Sequence, residues 1–235
     1  MARKHSISTT KYEIIQVASE FFLNEGVSMT SPKMIANKLN ISTGNITYYF
    51  KNKEHLLAVF VEMLCKFQWK LMEEEANEGY SSIMALCLEL AAMASMCEED
   101  AIAKDFYLNT YMSDLCLEII QGNDIKRAKQ VFGQFCPDWT DERFAEAVMI
   151  VSGVEYATLK SNKYTPSLEI RIAGALDTIL ATYRVPEEMR KTKILKVLEM
   201  DYQALGRRVL KEFKEYVQKT NDETFEELFA QLKRT

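Results

Sequence analysis

The segment from Thr30 to Leu57 constrains the fold of this chain more than any other stretch. Ser31-Pro32 reads as a helix start, with the serine as cap and the proline at the first helical position. Ile35, Ala36 and Leu39 then recur at helical spacing, Asn40-Ile41-Ser42 turns the chain, and Ser42 is placed to cap a second short helix. In that helix Ile46 and Phe50 stand four apart and share a side, where Ile35, Leu39 and Phe22 can anchor them. Thr43, Asn45, Thr47 and Tyr48 are left facing away. Two short helices about a polar turn, apolar inside and polar outside, predict a helix-turn-helix.

A helix of this kind suits the major groove of duplex DNA, which admits one narrow helix with a polar outer face. Asparagine pairs bidentately with adenine, and threonine contacts a base edge or a thymine methyl, so Thr43, Asn45, Thr47 and Tyr48 are the candidate readers. Gly44 would let the backbone come close to a phosphate or a base edge. Ser31, Lys33, Tyr49, Lys51 and Lys53 suit phosphate contacts, which position a helix without reading sequence, and Ser42 lies on the same surface. The competing reading is a structural cap of three short helices with two tyrosines as packing residues. The density of hydroxyl, amide and aromatic groups on so short a helix favours DNA.

Net charge qualifies this reading without opposing it. Residues 1–57 hold seven Lys/Arg against four Glu, an excess of +3, which leaves −8 for the remainder of a chain whose formal net charge is −5. A basic head on an acidic body is the better description, although +3 alone is ordinary surface charge.

Eight Gly and four Pro are few for 235 residues, and no stretch alternates with period two, so the chain is expected to be all-α. A first helix is expected from a Thr10/Glu13 capping box to Asn24-Glu25-Gly26, and a long one from Glu54 to about Asn77. Breaks are expected at Gly79-Tyr80-Ser81, Gly122-Asn123, Pro137, Pro166 and Pro186. Near the C-terminus, Leu195, Leu198, Tyr202, Leu205 and Val209 form a heptad-like seam on one helix. A second late helix is expected from a Thr220/Glu223 capping box, burying Phe225, Leu228, Phe229 and Leu232.

At the helix-turn-helix the chain resembles the N-terminal domain of the TetR family of transcriptional regulators. The family pattern T-x-x-x-I-A reads here Ser31-Pro32-Lys33-Met34-Ile35-Ala36. The pattern S-x-G-x-[LI]-Y-x-[YH]-F-x-x-K-E-x-L runs from Ser42 to Leu56, with Thr47 where the family usually has Tyr and Thr43 where Lys is frequent. Both departures remove expected phosphate contacts and bear on affinity or operator choice. The resemblance implies a DNA-binding domain at 1–53, and at 54–235 a larger helical domain that binds ligand and dimerises. It implies a ligand-responsive repressor, working as a homodimer on a near-palindromic operator. The segments matching the family's dimer helices are roughly 141–160 and 167–184, with small residues Gly153, Ala157, Ala173 and Ala181 on their faces; packing within one chain would use such faces equally well.

An effector cavity is expected between the middle helices, lined by Met63, Phe67, Met93, Tyr107 and Tyr111, with Glu155 as a polar contact. That lining favours a lipophilic or aromatic small molecule, and the same stripe would equally serve as plain core. The runs Glu73-Glu74-Glu75 and Glu98-Glu99-Asp100 read as solvated surface.

Other functions find little support. His5 and His55 are the only histidines, and no nucleophile–base set, phosphate-cradling glycine loop or metal-ligand cluster is present. The chain is therefore not read as an enzyme, and neither a cofactor nor a metal is expected. A carboxylate-based active site or a helical protein-interaction module without DNA binding are the alternatives. Five scattered Cys without a C-x-x-C pair suit small buried hydrophobes. With no signal peptide and no apolar run near 18 residues, a cytoplasmic protein without membrane contact is expected.

Overall fold

A computed structural model describes residues 7–76 and 82–220, with side chains from residue 11 onward. Among the described residues every regular element is a helix: α1 Ile7–Asn24, α2 Pro32–Leu39, α3 Thr43–Tyr49, α4 Lys53–Ala76, α5 Ile83–Glu99, α6 Ala101–Met112, α7 Asp114–Phe132, α8 Asp141–Leu159, α9 Leu168–Thr182, α10 Glu187–Glu199 and α11 Tyr202–Lys219. None of them is long and apolar enough to cross a membrane.

Helices α1 to α3 form a small head. α4 starts there and continues into the body, so the boundary expected at 53/54 falls at the first residues of an unbroken helix. One continuous core joins the two parts, with Phe22 of α1 edge-on to Phe60 of α4 at 5.6 Å between centroids. α1 also packs against α6 and α11 of the body.

At the centre of the body runs α5, which is apolar almost all round, as a helix must be when neighbours cover every face. It packs against α4, α6, α8, α9, α10 and α11. α11 comes closest, because Gly206 lies against Ala92, Ser95 and Met96; an added Cβ would stand 2.9 Å from the Ala92 carbonyl oxygen. α11 buries Leu205, Val209, Phe213 and Val217, a stripe of period four, and its charged face pairs Arg207 with Glu99 at 2.9 Å and Arg208 with Glu75 at 2.7 Å.

Several expectations change here. Helix α1 begins at Ile7, so Thr10 lies inside its first turns and is not its cap. The Gly122-Asn123 break is absent: α7 runs through it, and the Asn123 amide donates to the Ile119 carbonyl and to Glu62, each at 3.0 Å. Breaks occur instead at Asp100, which caps α6 through the amides of Ile102 and Ala103, and at Ser113, which caps α7 through that of Cys116. The heptad seam divides between two helices. Asp201 caps α11 through Ala204 at 2.8 Å, Tyr202, Leu205 and Val209 turn inward there, and Leu195 on α10 is exposed. The acidic runs are engaged rather than merely solvated, since Glu98 pairs with Arg171, and Glu75 and Glu99 with α11. The Gly79-Tyr80-Ser81 break and the helix expected beyond Thr220 lie outside the described residues.

All five cysteines are free thiols, four of them buried. Burial pushes Cys97 up to about 12 and Cys116 up to about 11, so neither offers a ready thiolate.

Candidate DNA-reading helix and ligand cavity

The head is built by caps. Ser31 accepts from the Met34 amide at 3.3 Å and starts α2, which closes on Asn40 in the left-handed conformation at φ 54°. Ser42 then opens α3 through a reciprocal pair, accepting from the Asn45 amide at 3.2 Å and donating to Asn45 Oδ1 at 3.0 Å. Ile46 and Phe50 are buried beneath α3 together with Ile35 and Ala36. Thr43, Gly44, Asn45, Thr47 and Tyr48 form its exposed face, with Tyr48 76% exposed. The Thr47 hydroxyl donates to the Gly44 carbonyl at 3.1 Å.

The proposed phosphate contacts divide into two groups. Lys33 and Lys51 are exposed, and half-buried Tyr49 lies edge-on to Tyr48 at 5.0 Å. Lys53 is half-buried, and its ammonium donates to the Val27 carbonyl at 2.7 Å, joining the start of α4 to the loop after α1. A bond within the chain thus already engages it.

The same loop is held from the body. Asp105 on α6 accepts from the Ser28 amide at 2.9 Å and from the Ser28 hydroxyl, and Asn109 one turn later donates to Ser28 Oγ at 3.2 Å. Gly26 passes over Asp105 at φ +95°, a backbone conformation open to glycine, and an added Cβ would stand 2.9 Å from the Asp105 carboxylate.

On the far face of α6, Tyr107, Thr110 and Tyr111 border a small, partly open cavity with an accessible volume of about 50 Å³. Of the six residues expected to line it, Met93, Tyr107, Tyr111 and Glu155 do, and Met63 and Phe67 do not. The reason is helical phase. α4 turns Val61, Leu64, Cys65 and Gln68 to the cavity, while Phe67 stacks on Tyr216 of α11 at 5.3 Å and Met63 is fully enclosed.

The polar groups of the cavity went largely unforeseen. Arg127 of α7 is bound by Glu89 of α5 at 2.6 Å and by Asp124 at 3.2 Å, and lies 4.5 Å over the Trp69 ring. Tyr107 donates to Gln68 Oε1 at 3.1 Å, and Tyr111 to Glu155 at 2.9 Å. Burial pushes the carboxyls of Glu89 and Asp124 up while Arg127 draws them down; burial, reinforced by Asp124, raises Glu155 to about 8. Glu89 was legible as a lone polar residue on an otherwise apolar helical run, and Gln68, between Lys66 and Lys70, was not. Asp124 and Arg127 carried no such signal, because an i, i+3 charge pair resembles ordinary surface. Among the described residues no group of three or more His, Cys, Asp or Glu side chains is placed to hold a metal ion.

A capped helix-turn-helix head on a helical body defines a DNA-binding regulatory protein. The sequence model of "Bacterial regulatory proteins, tetR family" matches residues 14–59, so that segment carries a tetR-type DNA-binding domain. No curated protein matched over the chain. Among solved structures, SmeT, the repressor of the Stenotrophomonas maltophilia multidrug efflux pump SmeDEF, is 19% identical with a TM-score of 0.51, covering 77% of this chain and 94% of SmeT; at that identity the likeness shows a shared fold. A gamma-butyrolactone receptor (ArpA-like protein) is 17% identical, TM-score 0.43, over 88% of this chain and 98% of its own. Mycobacterium smegmatis AmtR is 15% identical, TM-score 0.37, over 84% and 96%.

Proposed function

We propose that this protein is a ligand-responsive transcriptional repressor of the cytoplasm, acting as a homodimer on a near-palindromic DNA operator. The observation that carries the reading is the geometry of α3. Its anchors Ile46 and Phe50 are buried, and a continuous outer face of Thr43, Asn45, Thr47 and Tyr48 stands free of protein. In this reading those four contact base edges, and Ser31, Lys33, Ser42, Gly44, Tyr49 and Lys51 meet the backbone. Lys53 serves mainly to seat the head through Val27.

One short helix makes few base contacts, so a dimer that spans successive major grooves follows from the physics of recognition. Support for its interface comes from α8 and α9. Met149, Ile150, Gly153 and Ala157 on one, and Ile170, Gly174 and Ala181 on the other, form an exposed apolar stripe with Met149 64% and Ile170 63% exposed. A Cβ added at Gly153 or Gly174 would meet nothing within 4 Å, so neither glycine is required by packing inside one chain. A second chain approaching closely would use both.

Regulation follows from α6, whose one face borders the cavity and whose other face holds Ser28 through Asp105 and Asn109. A ligand that binds better when α6 is displaced pulls the loop before α2, and with α4 resets the separation of two reading helices. Selection of bound duplexes from random DNA tests the whole reading. A recovered palindrome with half-sites about 10 base pairs apart, or a multiple of one turn, is the expected result. Recovery of no preferred sequence would overturn it.

A further inference from the structure

The charges of the cavity do not balance once Glu155 is ionised. Three carboxylates, Glu89, Asp124 and Glu155, border it with one guanidinium, Arg127, and that guanidinium is already bound by the first two and covered by Trp69. Glu155 receives the Tyr111 hydroxyl, and no Lys or Arg among the described residues lies within ion-pairing distance of it. A second observation points to a missing occupant. Gln68 is 2% exposed, its oxygen is taken by Tyr107, and its amide nitrogen has no partner. Val61, Leu64, Met93 and Ile120 supply the apolar wall, and the Thr110 hydroxyl is taken up by the Tyr107 carbonyl at 2.7 Å.

Each ligand class meets this wall differently. An anion would have to displace carboxylates from Arg127 and face Glu155. A neutral molecule leaves Glu155 protonated and gains no ion pair from it. A cation displaces that proton and supplies the counter-charge an ionised Glu155 requires, within a cavity whose low dielectric strengthens the attraction. We propose that the cavity takes a cationic amphiphile, with an alkylammonium group at Glu155, an apolar or aromatic body along α4, α5 and α7, and a hydrogen-bond acceptor facing Gln68. This rests on the reading of the cavity as the effector site.

Binding of such a ligand is linked to a proton. Tyr111 from α6, Asp124 and Arg127 from α7, Glu89 from α5 and Tyr183 beyond α9 act on Glu155, and burial with the nearby Asp124 raises it to about 8. The carboxyl is therefore mostly protonated at neutral pH, and an arriving ammonium drives that proton to solvent, leaving an ion pair.

The test uses the full chain and three probes with one aromatic ether body: 4-phenoxybutylamine, 4-phenoxybutan-1-ol and 4-phenoxybutyrate. Titration calorimetry at pH 7, in two buffers of different ionisation heat, reads affinity and protons released. The amine should bind at least tenfold more tightly than the alcohol, the acid should bind most weakly, and the amine should release close to one proton per site. Glu155→Gln should bring amine and alcohol within about twofold of each other and abolish the release. Equal or inverted affinities in the natural chain, no binding by any probe, or undiminished proton release in Glu155→Gln would overturn the inference. Binding of selected operator DNA is measured on the same samples without probe. Its loss condemns the regulatory reading, whereas its retention with a failed probe series condemns only the cation site.

Discussion

Asp105 on α6 holds Ser28 in the head through both its amide, at 2.9 Å, and its hydroxyl. The contact joins residues 77 positions apart in sequence and ties the loop before α2 to the helix that borders the cavity. Asp105→Ala should cost about 1–3 kcal/mol of stability, because the Ser28 groups and the Asn109 amide lose a charged partner. Hydrogen exchange followed by mass spectrometry should show residues 25–31 exchanging faster while α5 stays protected. Unchanged exchange in the loop would mean that Lys53 and packing hold it without Asp105.

Reading and positioning roles separate by salt and by sequence. Asn45→Ala should weaken binding to the selected operator by about 1–3 kcal/mol and spare non-specific DNA. Its backbone amide still bonds Ser42, so α3 keeps its start. Lys51→Ala should weaken specific and non-specific binding alike and lower the salt slope by about 1. Identical profiles for the two variants, measured by fluorescence anisotropy across a salt series, would defeat that division.

The exposed stripe on α8 and α9 predicts a change of assembly without a change of fold. Gly153→Arg places a long charged side chain where the chain itself offers open space and replaces a helix-interior glycine, so the protomer should not lose stability and should gain up to about 1 kcal/mol. Sedimentation equilibrium should then report a dimer for the natural chain and a monomer for the variant. A variant that stays dimeric would move the interface away from this face.

Gly206 makes the opposite prediction. A side chain there meets the Ala92 carbonyl oxygen at 2.9 Å, a backbone atom of α5 that cannot swing aside as a side chain can. Gly206→Val should therefore destabilise the fold by about 1–3 kcal/mol in urea unfolding, through displacement of α11 from α5. An unaltered midpoint would show that α11 packs less closely than described.

Stability should also depend on pH through Glu155. Its carboxyl is raised from 4.5 to about 8 by burial and by Asp124, so between these values the folded state holds a proton that the unfolded state has released. Stability from this group is complete below about 4.5 and falls as pH rises toward 8, with a slope of at most about 1.4 kcal/mol per pH unit. Thermal melts from pH 5 to 8 should decline less steeply for Glu155→Gln than for the natural chain. Parallel curves would place the titration elsewhere.

What could be read without coordinates was local. The caps at Ser31 and Ser42, the inward pair Ile46 and Phe50 and the outward set on α3 follow from short-range hydrogen bonding and a 3.6-residue period, which the order of residues states directly. Helix ends marked by proline were legible for the same reason, and those made by Asp100 and Ser113 were missed because one short polar residue also fits a helix interior. The tertiary structure alone decided which helical faces meet. It turned Phe67 to α11 and Gln68 to the cavity, one residue apart, and brought Glu89, Arg127 and Glu155 together from three helices. It also engaged Lys53 with Val27 and Asp105 with Ser28. Contacts of that range depend on how helices cross, and crossing is set by the packing of whole faces, to which no single stretch of sequence corresponds.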